Sequence, residues 1–366
     1  LDQALRYGSW GYDAGRSSRG NVSVVDTNGN RNDIEAYLFT AACNSSGFMR
    51  EQALVTFRSF PGRLALVAAL IRCEDWVWQV QTEAETLLKQ CIDAGHVEEL
   101  FSLLDLLLAL KERKRFHSIW PRLIEPALKD HANTDALLRS TRTGTAHSRL
   151  FCYNLLTETR VDILQETYRH AVKDESPGIA LWALGKCNVK QAHSDLLSLA
   201  LKHPHSAVRA EAVRQLTAID PAGSLTLLLS TIFDRAAAPR NAAAYLLRQH
   251  FQIEAAKYWR DCLDNEAGNR TYSAFNALVD VATSEDVDRL MPWIKNTKGS
   301  IRAAAFKALF KIMPSSASVL AETAIADSST KVINEIVGRW ISDPLLIDRH
   351  MLHTAFMAQK SNRAKV

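Results

Sequence analysis

The sequence predicts an all-α chain: an α-solenoid of about nine to ten stacked helical hairpins, preceded by an irregular N-terminal segment. Three observations lead there. One short pattern recurs at a constant 31-residue step, its internal spacing is helical, and no alternating strand pattern follows residue 34.

Arg209, Arg240, Thr271, Arg302 and Ile333 each stand one such step after the one before, and they define position zero of five copies. Position three holds Ala212, Ala243, Ala274, Ala305 and Ile336; position seven holds Leu216, Leu247, Leu278, Leu309 and Trp340. At 3.6 residues per turn these positions form one stripe of a helix. A small residue in the stripe lets a second helix approach closely, and a large one a turn later fills the space beside it. Apolar residues return at helical spacing over 196–201, 225–233, 253–263, 287–294 and 319–325, so each unit carries a partner helix. Turn and cap residues such as Asp220-Pro221, Ser284-Glu285-Asp286 and Pro314-Ser315-Ser316 introduce most of these segments.

Weaker copies extend the register backwards: Pro177, Ala180 and Leu184; Arg149, Cys152 and Leu156; Gln81, Ala84 and Leu88; Arg50, Ala53 and Phe57. Their steps of 32, 28, 68 and 31 place one irregular unit between residues 81 and 149, holding the apolar segments 97–110 and 119–128.

The segments Val208-Arg209-Ala210-Glu211-Ala212-Val213 and Ile301-Arg302-Ala303-Ala304-Ala305-Phe306 resemble the second-helix signature of HEAT-like repeats, and residues 75–84 resemble it with Gln81 in place of the arginine. The resemblance covers residues 44–341. It implies a right-handed solenoid whose second helices line a concave face. It leaves function open, because such solenoids serve as scaffolds, adaptors, inhibitors, nucleic-acid binders and, in some cases, enzymes. The expected organisation is an irregular arm or cap over 1–33, the repeat solenoid over 34–348, and a C-terminal helix end and tail over 349–366. Inside the arm, Val22-Ser23-Val24-Val25 before Asp26-Thr27-Asn28-Gly29 reads as a short strand or hairpin, or as part of a flexible arm.

A solenoid tolerates a length of 366 residues as one continuous domain, since each unit packs on its neighbours. A membrane-spanning helix takes an uncharged apolar run of about 18 residues or more. The chain has no run of that length, which argues against a membrane span. No basic and apolar secretory opening begins the chain. The six cysteines are scattered without a C-x-x-C pair and read as buried small hydrophobes, which points to a cytoplasmic location.

Function rests on two surfaces. Arg50, Arg149, Arg209, Arg240 and Arg302 share position zero, with Arg270 one residue ahead of it in its own copy. The resemblance implies that such arginines bond the neighbouring turn, for which Asp174, Asp234 and Asp264 are placed to supply a carboxylate. The same row also presents positive potential to an anionic partner. Trp182, Tyr245 and Tyr272 stand beside the alanine–leucine stripe on second helices, and aromatic residues with arginine make protein hot spots or base-stacking platforms. The candidate binding residues are therefore Trp182, Arg209, Arg240, Tyr245, Arg270, Tyr272 and Arg302.

No H-E-x-x-H, P-loop, G-x-S-x-G or G-x-G-x-x-G pattern occurs in a context its chemistry needs. His203-Pro204-His205 and the pair His350 and His353 read as solvated, without a third metal ligand, and no cofactor is expected. The expected function is a non-enzymatic scaffold or adaptor, an inhibitor or immunity protein among them, whose partner is another protein. The competing reading is nucleic-acid binding through the arginine face, including the activity of HEAT-like alkylpurine DNA glycosylases. The net charge of +4 does not by itself demand a nucleic acid.

Overall fold

The computed structural model describes residues 30–186, 190–265, 270–342 and 353. The expected strand at 22–25, Cys187, and His350 of the histidine pair lie outside the described residues. Every regular element among the described residues is a helix, and no strand occurs there. The chain divides into two compact units, Leu1–Ala171 and Val172–Val366.

The first unit opens with two hairpins, α1 (Arg31–Ala42) with α2 (Gly47–Phe57), and α3 (Arg63–Arg72) with α4 (Trp78–Asp93). Asn30 caps α1 through the Asn32 N–H, so the helical part begins just inside the expected arm. The next stretch is irregular, as the sequence predicts, but it is finer-grained than one hairpin. The apolar run 97–110 splits into α5 (Val97–Ser102) and α6 (Leu104–Lys111). The 119–128 segment divides into a π turn at Trp120–Ile124 and the short α7 (Glu125–Lys129). Pro121 and Pro126 each lack the N–H that an uninterrupted helix needs. Regular geometry returns with α8 (Thr134–Ser140), α9 (Ala146–Thr159) and α10 (Leu164–Val172).

The second unit runs through α11 (Pro177–Lys186), α12 (Lys190–Ala200), α13 (Ser206–Ile219), α14 (Leu225–Thr231), α15 (Ala237–Phe251), α16 (Ala255–Asp264), α17 (Thr271–Val281), α18 (Val287–Leu290), α19 (Gly299–Ile312), α20 (Ala317–Ile325) and α21 (Thr330–Ser342). Its second helices α11, α13, α15, α17, α19 and α21 pack each on the next. First helices close the hairpins: α12 packs on α13, α14 on α15, α16 on α17, and α20 on α21.

The stripe read from sequence is the seam of this packing. Ala53, Ala84, Cys152, Ala212, Ala243, Ala274, Ala305 and Ile336 at position three are all buried, as are Phe57, Leu88, Leu156, Leu247, Leu278 and Leu309 at position seven. Leu216, also at position seven, is half-buried.

One copy needs a correction. Second helices otherwise start three positions before position zero: Gly47 before Arg50, Trp78 before Gln81, Ala146 before Arg149, Ser206 before Arg209, Ala237 before Arg240 and Gly299 before Arg302. Because α11 starts at Pro177, its position zero is Ala180, one full repeat step after Arg149, with Ala183 at position three. Ala180 imitates the position-three alanine in sequence, and only the helix start separates the two registers. The other exception is α17, which begins at position zero itself, Thr271.

Cys43, Cys73, Cys91, Cys152 and Cys262 are buried free thiols. Burial pushes the Cys91 thiol up to about 11 and the Cys152 thiol to about 12, so both stay protonated and behave as apolar filler.

Ala243 is fully enclosed at the α13–α15 seam. Ala243→Leu should overpack it and lower stability by about 1–3 kcal/mol in a chemical denaturation series. An unchanged midpoint would mean that the seam is not where position three lies.

Candidate binding groove

The arginines at position zero resolve into a repeated device. Arg50 Nε donates to Asp75 Oδ2 at 2.8 Å and Nη2 to Oδ1 at 2.9 Å, while Nη1 reaches the Asn44 and Ser45 carbonyls, both at 2.9 Å. Arg209 does the same with Asp234 at 2.8 and 2.7 Å and with the carbonyls of His203 and Pro204. Arg302 repeats it with Asp327 at 2.7 and 2.6 Å and with the carbonyls of Asn296 and Thr297. Each aspartate lies 25 residues after its arginine. Each also accepts the N–H two positions on, from Val77, Ala236 and Ser329. One side chain thus organises the turn of the next hairpin and is held by the turn of its own. Asp75 also takes a bond from Arg72 at 3.2 Å, with all three side chains buried.

Burial alone would raise these carboxyls. The arginine hydrogen bonds and the turn N–H outweigh it, so Asp75, Asp234 and Asp327 sit below the ordinary carboxylate value of 3.8. The bond to Asp327 in turn holds Arg302 above its ordinary value.

The device lapses at defined places. Ala180 takes position zero in α11, and its copy lacks the arginine. The turn that follows holds His203, which is buried rather than solvated as expected. Its Nδ1 accepts the His205 N–H at 3.0 Å, and Nε2 therefore donates to the Asp174 carbonyl at 3.1 Å. In the copy of Thr271 the aspartate's place is taken by Asn296, which still accepts its turn N–H from Lys298. Around the Thr271 hairpin, ion pairs join successive first-helix segments instead, Arg260 with Asp286 in the turn before α18 and Arg289 with Asp264. Of the carboxylates expected to serve a position-zero arginine, Asp234 does so, whereas Asp264 pairs with Arg289.

Arg240 is the mismatch. It is buried at 4 % exposure, yet Asn265 stands where its aspartate would be. Nη1 keeps its carbonyl bond to Asp234 at 2.9 Å, and Nε has no hydrogen-bond partner among the described residues. Burial pulls this guanidinium below its ordinary value, against the opposing pull of Asp280 and Asp234.

Arg240 borders a groove of about 540 Å³ in the second unit. Four consecutive second helices build it: α15 supplies Arg240, α17 Asn276, Val279 and Asp280, α19 Ser300, Ala303, Ala304 and Lys307, and α21 Lys331, Asn334 and Glu335, with Arg235 from the turn before α15. The small Ala303 and Ala304 leave the space. Among the described residues none of Arg235, Arg240, Lys307 and Lys331 has a carboxylate within ion-pair distance.

The other sequence-derived candidates separate. Arg209 and Arg302 are taken up by their aspartates. Tyr245 is 67 % exposed at position five of α15, the register from which Asn276 and Lys307 line the groove. Trp182, half-buried, falls at position two of α11, as Ala304 and Glu335 do in theirs. Tyr272 meets the Trp293 ring edge-on at 5.5 Å, with Lys298 Nζ 5.3 Å from its own centroid. Arg270 is exposed and covers the Phe233 ring at 5.2 Å. Of the seven candidates, Arg240 alone lines the groove.

Sequence reasoning passed over Lys331, Asn276, Asn334, Asp280 and Glu335 as site residues. No pattern in the sequence marked them, since each is a single polar residue on its helix face. It also passed over the exposed Phe48, Trp76 and Trp78 of the first unit, where Trp76 lies 5.9 Å from the Arg50 guanidinium.

Asp75→Ala would leave Arg50 and Arg72 buried without their carboxylate and should cost about 3–5 kcal/mol in urea unfolding. Asp264→Ala, in an exposed pair, should cost less than about 1 kcal/mol. Because the paired aspartates titrate lower folded than unfolded, the stability they contribute is present above pH 3.8 and is lost as pH falls through their lower folded values. Denaturation midpoints should fall steeply in that window for the native chain and less steeply for Asp75→Ala.

No family model matches the chain, and no curated protein matches it.

Proposed function

We propose that the chain is a non-enzymatic protein-binding scaffold or adaptor, with inhibition of the bound partner as one version. Its hairpins continue as a right-handed HEAT-like solenoid of about nine to ten units whose second helices form a concave binding face. The observation that carries this reading is the groove shared by α15, α17, α19 and α21, since a site drawn from four successive units suits an extended partner better than a compact substrate. The half-exposed Tyr272 and exposed Tyr245 flank it by register and suit hot-spot contacts.

The nucleic-acid reading, a DNA glycosylase activity included, is weakened by the position-zero arginines. Arg50, Arg209 and Arg302 are neutralised in pairs with aspartate, which removes most of the row that would meet phosphates.

Small-angle scattering should give a radius of gyration well above the roughly 21 Å of a compact chain of this length; a compact value would overturn the solenoid. The chain used as bait in lysate should retain a discrete protein after nuclease treatment. Affinity for that protein should change less than about tenfold between roughly 50 and 200 mM salt, whereas a partner engaged through about 6–10 phosphates would lose about 10³–10⁵. Retention abolished by nuclease would transfer the function to nucleic acid.

A further inference from the structure

Of the position-zero arginines at 50, 149, 209, 240 and 302, four are followed at one fixed offset by aspartate, at Asp75, Asp174, Asp234 and Asp327, and Arg240 is the exception. Its guanidinium is nonetheless buried, with Nη1 in the same carbonyl bond and neither Nε nor Nη2 bonded to a carboxylate among the described residues. Those are the two nitrogens that Arg50, Arg209 and Arg302 use to hold an aspartate. A buried guanidinium without a carboxylate is costly to retain. The cost is offset if a carboxylate arrives from outside.

We propose that the groove beside Arg240 is an acidic-peptide site, in which carboxylates of an extended partner segment are held by the positive charge of Arg240, Arg235, Lys307 and Lys331. This rests on the protein-binding reading above and names the chemistry of the partner. Four basic groups without ion-pair partners among the described residues line the groove together with two acidic ones, Asp280 and Glu335. The net excess is positive, so the complementary ligand is anionic. The mixture also selects among anions. A phosphate backbone carries a charge at every nucleotide and meets Asp280 and Glu335 at close range. A peptide interleaves its carboxylates with neutral amides, whose N–H groups can donate to those two carboxylates and whose carbonyls can accept from Asn276 and Asn334. Guanidinium to carboxylate is also the fork geometry this chain already uses at Asp75, Asp234 and Asp327.

The test is fluorescence anisotropy with a labelled hexaglutamate peptide on the full chain, with unlabelled oligothymidylate and inorganic phosphate as competitors. The native chain should bind the peptide saturably. Arg240→Gln should weaken it about thirtyfold or more, since it removes one partner of a desolvated charge pair. Lys307→Gln combined with Lys331→Gln should weaken it about fivefold; both lysines are exposed, so this variant keeps its fold whatever Arg240→Gln does. Binding indifferent to the lysine pair, or no saturable binding at all, overturns the site; nuclease-resistant capture of a protein then still stands on its own. Displacement of the peptide by oligothymidylate at lower concentration than by free hexaglutamate overturns both readings. Displacement by millimolar phosphate alone, with no preference for the peptide, reduces the groove to a general anion trap and likewise overturns the proposal.

Discussion

The hairpin junctions at Arg50, Arg209 and Arg302 depend on bringing an arginine into the seam near the start of a second helix without leaving its charge uncompensated. A guanidinium has five donors and cannot shed its proton, so it can enter a dry seam only if carbonyls and a carboxylate meet it there. The turn before the same helix supplies the carbonyls, and the turn of the following hairpin supplies the aspartate. Arg50, Arg209 and Arg302 therefore each tie two hairpins together, and each of their aspartates shapes the turn it sits in by accepting a backbone N–H. The pair does not add much net stability compared with an apolar contact of the same size. What it adds is register, because a hairpin displaced by one residue would lose both the fork and the turn.

The same constraint explains why the arginine row is a poor guide to function. Seen in sequence, five arginines at one repeat position suggest a basic stripe. In three dimensions most of that charge is spent inside the fold, and the charge that faces the groove beside Arg240 comes from Lys307, Lys331 and Arg235, which belong to other repeat positions. The groove has room because α19 carries alanine at both Ala303 and Ala304. Chemistry at the groove thus arises where the repeat departs from its own rule.

The helical class, the seam of Ala243 and Leu247 and their equivalents, and the irregularity between residues 81 and 149 were legible because periodic burial leaves a periodic sequence. The register of α11 was not, because Ala180 fits either position and only the Asp174 turn, closed by the Ser176 N–H, marks where the helix begins. Tyr245 was legible as an exposed aromatic on the groove register; Asn276, Asn334 and Lys331 were not, since single polar residues on a helix face carry no pattern of their own. His203 was misread as solvated because a histidine in a turn looks exposed until the turn of Asp174 is seen to close over it.

By itself the sequence determined that the chain is helical, that its units repeat at a 31-residue step, and that small and large apolar residues alternate along one seam, all consequences of local periodicity. Tertiary structure decided that the 25-residue offset from arginine to aspartate is a contact, so that Arg50, Arg209 and Arg302 are consumed by their aspartates while Arg240 meets no carboxylate among the described residues. That contact depends on a partner in the turn of the next hairpin, beyond an intervening helix, and no local pattern reports that the two side chains meet.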